Sequence, residues 1–162
     1  MKNLTLSGKH FYSFIGHLEN HPGIKSLKFK GYGQSMTPFI KNGSTMNINL
    51  LDEKTKIIPG DIVLIKHLPK KEIFIHRVIK AQQDRYLIKG DNKKYPDGWF
   101  SRATIMGKVT RINNGSELMA ASLSSIPKRT IALLSRTGFL NAVILPGGRW
   151  IKHHLEKRRA NG

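Results

Sequence analysis

The stretch GYGQSMTPFIKNG, residues 31–43, and the stretch IFIHRVI, residues 73–79, decide how this 162-residue chain is interpreted. The first places Ser35 in a glycine-rich turn, and the second places His76 in a strand-like run of β-branched and aromatic residues. A serine hydroxyl is a weak nucleophile at neutral pH, and a neighbouring imidazole can take its proton as it attacks a carbonyl. The two stretches therefore predict a nucleophile and its general base, provided that the fold brings them together.

The composition is that of one globular domain with a large excess of positive charge. Hydrophobic residues make up 39% of the chain, which is ordinary for a folded domain. There is no cysteine, which excludes a disulfide framework, a thiolate zinc site and a cysteine nucleophile. The 28 lysines and arginines exceed the 10 acidic residues and give a net charge of +18, which favours nucleic acid, anionic lipid headgroups or an acidic substrate as partners.

Short runs with strand-like patterns follow one another through the middle of the chain, without long helices between them. These runs are residues 27–30, 46–50, 61–66, 73–80, 85–89 and 104–112. They predict a mainly β domain over residues 24–115, folded as an antiparallel, partly coiled sheet. Because side chains alternate along a strand, Arg77 is expected to point away from His76 and to pair with a carboxylate such as Asp61.

Two segments flank the predicted β domain. Residues 1–23 predict an amphipathic helix packed on the domain, with apolar positions at helical spacing: Phe11, Phe14, Ile15 and Leu18. Residues 116–162 predict a basic helical extension, which suits either packing on the domain or contact with an anionic membrane surface. The sequence contains neither a membrane-spanning apolar run nor a secretory signal. We therefore expect a cytoplasmic location, with the basic extension as a potential contact to the inner face of the membrane.

The order of four sequence blocks resembles that of the signal peptidase I and LexA-like serine peptidase superfamily. The blocks are residues 33–38, 59–63, 76–79 and 89–92, with Asp97 beyond them. Bacterial signal peptidases and LexA-type repressors use a lysine base, whereas the archaeal and endoplasmic-reticulum signal peptidases have histidine followed by arginine, to which His76 and Arg77 are similar. The resemblance implies a LexA and signal peptidase-like β fold with Ser35 as nucleophile, His76 as base and Asp97 as the carboxylate that orients the imidazole. Asp91 is the competing choice for this third role.

The chain departs from the family pattern around the nucleophile. Gln34 stands where signal peptidases usually have glycine, and Gly33 stands where they often have a serine that helps to bind the oxyanion. Backbone N–H groups near Ser35 would therefore supply the oxyanion contacts. The residues expected to bind the oxyanion or the substrate are Gly33, Gln34, Met36 and Pro38. No counterpart of the family's amino-terminal membrane anchor is recognised, so we expect a form without an anchor.

Each candidate residue also has an ordinary structural explanation. Ser35 is compatible with simple turn chemistry, His76 with a buried strand histidine, and Asp91 and Asp97 with turn residues that bond their own backbone. The seven histidines show no metal-ligand spacing, and we expect neither a metal nor a cofactor.

The sequence favours a serine endopeptidase that acts on a peptide or protein substrate, and the resemblance implies small side chains just before the cut. One alternative is a non-catalytic regulatory protein with a LexA-like fold that binds DNA or another polyanion. Nucleic-acid binding rests on charge alone, because no recognised nucleic-acid motif is present. A second alternative is a regulator that cleaves its own chain, although no Ala-Gly or Cys-Gly cleavage site precedes Ser35.

Overall fold

The computed structural model describes residues 13–14 and 23–115, and most of the regular secondary structure in this part of the chain is β-strand. The strands are β1 (Ser26–Lys30), β2 (Thr45–Leu50), β3 (Ile62–His67), β4 (Glu72–Gln82), β5 (Arg85–Lys89), β6 (Gly98–Ser101) and β7 (Ile105–Asn113). A single turn of 3₁₀ helix, Arg102–Thr104, joins β6 to β7. The prediction of a mainly β, antiparallel domain is confirmed. The predicted helix within residues 1–23 lies outside the described residues except at positions 13–14 and 23, and the predicted helices within residues 116–162 lie wholly outside them.

The seven strands form one antiparallel sheet in the order β1-β2-β7-β3-β4-β5-β6. Strands β3 to β6 are sequential neighbours, and β7 returns to pair with both β2 and β3 in the middle of the sheet. Register shifts interrupt the pairing of β2 with β7, of β3 with β7 and of β4 with β5. Such irregularities increase the local twist of a sheet, and here they accompany its curled shape.

Apolar side chains pack on both faces of β3. Leu64 belongs to a cluster with Met36, Ile40, Met46 and Ile48. Its neighbours along the strand belong to a second cluster, formed by Ile57, Val63, Ile65, Val78, Tyr86, Ile88 and Ile105. Because successive side chains of a strand point to opposite faces, β3 is covered on both sides and forms the centre of the core.

The loop between β1 and β2 is anchored to the first cluster. Met36 and Ile40 are 5% and 6% exposed, and the Ile40 N–H donates to the carbonyl oxygen of Met36 at 2.9 Å. The base of the loop is closed by the Gly31 N–H, which donates to the carbonyl oxygen of Ser44 at 2.9 Å. The residue immediately before Met36 is therefore held at a fixed position above the sheet, and that residue is Ser35.

Among the described residues, no helix is both long enough and apolar enough to cross a membrane.

Candidate active site

Three side chains from distant parts of the sequence form one hydrogen-bonded chain. The Ser35 Oγ atom lies 2.9 Å from Nε2 of His76, and Nδ1 of His76 lies 2.8 Å from Oδ2 of Asp97. An ionised carboxylate can only accept, so the Nδ1 atom carries the proton and Nε2 is left to accept from the serine hydroxyl. This is the tautomer in which the imidazole can act as a base toward Ser35.

The fold explains why His76 is accessible from one side only. On one side of β4, His76 pairs with Val63 of β3. On the other side, β5 ends at Lys89, opposite Arg77, so His76 borders the loop that follows β5 instead of a strand. The His76 side chain is 4% exposed, and the Phe74 ring lies against the imidazole with a centroid distance of 4.8 Å. The burial restricts the orientation of the imidazole. The loop after β5 supplies one polar partner, Asp97, and the loop between β1 and β2 supplies the other, Ser35.

Asp97 directly precedes β6 and is bound by more than the histidine. The Lys93 Nζ atom lies 2.6 Å from Oδ1, and the Gly90 N–H donates to Oδ2 at 3.2 Å. Burial alone would raise the pKa of Asp97, but the hydrogen bonds and positive charges of His76 and Lys93 outweigh it and hold the pKa below its usual value of 3.8. Asp97 is therefore ionised at neutral pH, as an orienting carboxylate must be.

The loop after β5 also holds in place the turn that carries Ser35, which we call the nucleophile turn because Ser35 is the candidate nucleophile. The Asn92 N–H donates to the carbonyl oxygen of Ser35 at 2.8 Å, and the Asn92 side-chain amide donates to the carbonyl oxygen of Gln34 at 3.0 Å. A Cβ atom at Gly90 would lie 2.8 Å from the Ser35 carbonyl oxygen and 3.0 Å from Nε2 of His76. Only glycine allows the loop to approach both residues this closely.

Asp91, the competing candidate for the carboxylate that orients His76, does not occupy the Nδ1 side of the imidazole, where Asp97 lies. Its two carboxylate oxygens accept from Nε and Nη2 of Arg77 at 2.8 and 2.7 Å, and both side chains are almost completely buried. Arg77 also donates to the carbonyl oxygen of Gly60 at 2.9 Å. Asp97 therefore contacts Nδ1 of His76. Asp91 instead forms a buried ion pair with Arg77, the residue that follows His76 on β4.

The prediction that Arg77 pairs with a carboxylate is confirmed, but the example given for it, Asp61, is wrong. A carboxylate oxygen of Asp61 instead lies 2.7 Å from the Nζ atom of Lys108 on β7. Its Oδ2 atom also accepts from the Ile58 N–H at 3.0 Å. The alternation of β4 correctly separates Arg77 from His76, but it does not specify which loop brings a carboxylate to the arginine.

A further buried charge lies at the end of β5. Lys89 is 1% exposed, and burial lowers its pKa, while the negative charges of Asp91 and Asp97 act in the opposite direction. Together with the pair of Arg77 and Asp91, this lysine makes the base of the site rich in charge. Such buried charges are costly unless they are paired, so they are expected to fix the geometry of the loop above them.

The four residues expected to bind the oxyanion or the substrate differ in burial and in the groups that they contact. The Gly33 N–H donates to Oδ1 of Asn42 at 2.8 Å, and Gly33 has a φ of 119°. Met36 is buried in the first core cluster, and Pro38 is half-buried. Gln34 is exposed, with its carbonyl oxygen bound by Asn92. The amide of Gly33 is therefore engaged within the loop, and the side chain of Met36 packs in the core.

Sequence patterns do not identify two residues of this site. Asn92 is visible only as the last residue of the block 89–92, and nothing in the sequence connects it to the nucleophile turn. Lys93 is four residues before Asp97, but outside a helix this spacing does not predict a contact. Within residues 13–14 and 23–115, no group of three or more His, Asp or Glu side chains is arranged to hold a metal ion.

The sequence model of the Peptidase S24-like family matches residues 18–110, which is more than half of the chain and includes all three residues of the hydrogen-bonded chain. The chain belongs to the Peptidase S24-like family. This family lies in the LexA and signal peptidase superfamily, so the superfamily resemblance is confirmed. S24-like members are generally hydrolases, but the family also includes self-cleaving regulatory proteins and non-catalytic members. A search of curated proteins found no match.

Proposed function

We propose that this S24-like chain is a serine endopeptidase in which Ser35 is the nucleophile, His76 the general base and Asp97 the orienting carboxylate. The observation that carries the proposal is the continuous hydrogen-bonded chain from Ser35 Oγ through both imidazole nitrogens to the Asp97 carboxylate. Both contacts, from Ser35 to His76 and from His76 to Asp97, are within ordinary hydrogen-bond distance, which is the geometry that proton transfer from a serine requires.

The reaction proceeds in two halves. As Ser35 Oγ forms a bond to the peptide carbonyl carbon, Nε2 of His76 takes the hydroxyl proton, and it then gives this proton to the leaving amine as the C–N bond breaks. The product of this half is an ester between Ser35 and the substrate's acyl part. In the second half, His76 takes a proton from water, the hydroxide attacks the ester, and Ser35 Oγ leaves with the proton. Asp97 stabilises the imidazolium that forms in each half.

The backbone of the nucleophile turn is the proposed source of the oxyanion contact. Among the described residues, the Ser35 N–H donates to no other group, whereas the Gly33 N–H is occupied by Asn42. A free N–H on the residue that carries the attacking oxygen is available to donate to the carbonyl oxygen as negative charge develops on it. We therefore assign the oxyanion contact to the Ser35 N–H and not to Gly33.

The identity of the base supports the histidine branch of the superfamily. A histidine with a carboxylate on Nδ1 has its proton-accepting nitrogen fixed toward the serine, and Asp97 supplies this carboxylate. A lysine base would have no use for such a partner, because all of its protons lie on one nitrogen. The contact of Asp97 with Nδ1 is thus what a histidine base at position 76 requires.

The proposal is tested by incubating a library of terminally blocked peptides with the 162-residue chain and identifying the products by mass spectrometry. Wild type is expected to produce internal cuts, and Ser35→Ala and His76→Ala are expected to produce none above background. Ser101→Ala, a change of an exposed serine on β6, is the matched control and should give the wild-type products. The proposal is wrong if Ser35→Ala retains the wild-type products, or if the wild type produces none.

Because the family includes both peptidases and self-cleaving regulators, self-cleavage must be distinguished from the cutting of other peptides. The same variants are therefore incubated without peptides, and their intact masses are measured. If the only product that depends on Ser35 is a fragment of the chain itself, the protein is a self-cleaving regulator. If the library is cut while the chain stays intact, it is a peptidase that acts on other substrates.

A further inference from the structure

A cleft of about 270 Å³ opens directly beside the hydrogen-bonded chain. Ser35, His76 and Asp97 contribute to its lining. The rest of the lining includes three rings, those of His67, Phe74 and Phe100, together with three charged side chains, Lys70, Glu72 and Lys93. Because the Ser35 side chain lines the cleft, a side chain that fills it belongs to a residue next to the bond that Ser35 attacks.

The three rings form one continuous aromatic wall. The ring centroids of Phe74 and Phe100 are 5.7 Å apart, and His67 lies 6.3 Å from Phe74 and 5.6 Å from Phe100, all in edge-to-face arrangements. Both phenylalanines are half-buried and pack against the second core cluster, so their positions are fixed from behind. A fixed group of rings with such spacing offers edges and faces to which a further ring can pack favourably.

We propose that this cleft is the specificity pocket of the enzyme and that it takes a bulky aromatic side chain of the substrate, at a position directly flanking the scissile bond. This inference rests on the proposed peptidase function and adds the class of substrate to it. The proposed aromatic side chain differs from the small side chains implied by the family resemblance. A small side chain would leave the cleft unfilled and would not contact the aromatic wall.

The charges around the cleft favour an uncharged ring over a charged side chain. A cationic side chain could stack on the rings, but Lys70 and Lys93 both line the cleft, and the whole chain carries a net charge of +18. An acidic side chain would be attracted by Lys70 and by the net charge of +18, but it would lose its hydration against three rings and would lie near Glu72. Lys93 is already paired with Asp97. The Asp97 carboxylate is already bound by His76 and Lys93, so it is not a free acceptor for a basic side chain.

The test uses the peptide library described above and counts the residues on both sides of every cut. Wild type is expected to cut beside Phe, Tyr or Trp at least about tenfold more often than beside Ala or Ser, at one fixed flanking position. Phe100→Ala should reduce this preference by about tenfold, and Phe100→Trp, which makes the cleft smaller, should shift the cuts toward smaller side chains.

Trp99→Ala is the matched control. Trp99 is the neighbouring aromatic residue on β6, but its ring lies near the cations of Lys80 and Arg85 and does not line the cleft. This variant should keep the wild-type preference. Since Phe100→Ala removes packing from the second core cluster, Phe100→Leu is measured as well, and circular dichroism compares the folding of all the variants. Phe100→Leu should keep the fold and still lose the preference for rings over leucine.

Each outcome has a separate meaning. If the products depend on Ser35 but the cuts are flanked by small residues, or if folded Phe100 variants keep the aromatic preference, the inference about the cleft is overturned and the peptidase function stands. If no product depends on Ser35, the proposed function is overturned, and this inference falls with it.

Discussion

The Nζ atom of Lys93 lies 2.6 Å from Oδ1 of Asp97, the carboxylate oxygen that His76 does not bind. The two oxygens of one carboxylate are thus divided between a half-exposed lysine and a buried imidazole. Although burial raises the pKa of Asp97, these two partners together hold it below 3.8. The lysine therefore helps to keep the carboxylate ionised without touching the serine.

Lys93→Met is expected to raise the pKa of Asp97 relative to the wild type, because it removes one hydrogen bond and one positive charge from the carboxylate. Since the folded-state pKa is lowered, the ionised Asp97 stabilises the fold above the pKa of the unfolded carboxyl, and this stabilisation is lost as the pH falls through the folded value. In Lys93→Met the folded-state pKa is higher, so the stabilisation is smaller and is fully lost at a higher pH than in the wild type. Carboxyl ¹³C NMR measures the titration directly, and circular dichroism should show an acid-unfolding midpoint at higher pH.

Lys94→Met is the control for this prediction, because Lys94 is the neighbouring lysine and lies near the Tyr95 ring, 5.2 Å from its centroid. Its effect on the titration of Asp97 should be much smaller. An unchanged Asp97 titration in Lys93→Met would show that the ion pair does not persist in solution.

Asp97→Asn is expected to reduce kcat by about 10³ to 10⁴-fold, because the amide can stabilise the wrong histidine tautomer and cannot stabilise the imidazolium. The fold should remain, since asparagine has nearly the same size. Kinetics on a cleaved library peptide measure the loss, and Asp84→Asn, a change of an exposed aspartate, is the control. Equal rates for Asp97→Asn and wild type would remove Asp97 from the proposed mechanism.

Gly90→Ala is expected to reduce activity by about 100-fold, because the added Cβ atom would lie 2.8 Å from the Ser35 carbonyl oxygen and 3.0 Å from Nε2 of His76. Either the loop or the nucleophile turn must move, and the distance between Ser35 and His76 then changes. Gly23→Ala is the matched control, since a Cβ atom there would meet nothing within 4 Å. Full activity in Gly90→Ala would mean that the close approach of the loop is not needed.

Ser35, His76 and the two candidate carboxylates could be selected from the sequence because each lies in or near a block with a recognisable local pattern, and the structure brings Ser35, His76 and Asp97 into contact. It could not decide between Asp91 and Asp97, since that choice depends on how the loop after β5 crosses β4. Strand β6 is missing from the predicted strands because its four residues, Gly98–Ser101, are too few for a clear alternation.

The aromatic wall shows a different limit of prediction. Phe74 belongs to the predicted strand 73–80, whereas Phe100 is 26 positions further along the chain on the strand that was not predicted. Their contact arises because both side chains pack on the second core cluster of the curled sheet. It does not follow one row of paired residues, since the register aligns Phe100 with Tyr86 and Tyr86 with Ala81. Residue patterns predict the face of each strand, but the curl of the sheet is a property of the whole fold.

Removal of either partner from the buried pair of Arg77 and Asp91 is expected to destabilise the fold by about 3–5 kcal/mol, because the remaining charge would lie buried without its main partner. Urea unfolding of Arg77→Met and Asp91→Asn measures this loss, and the double variant should lose clearly less than the sum of the two single changes. Lys93→Met provides the comparison, since Lys93 is 45% exposed and an exposed ion pair contributes at most about 1 kcal/mol. If the two single losses simply add in the double variant, Arg77 and Asp91 do not act as a pair, and the loop that holds Ser35 and His76 together must be anchored by other contacts.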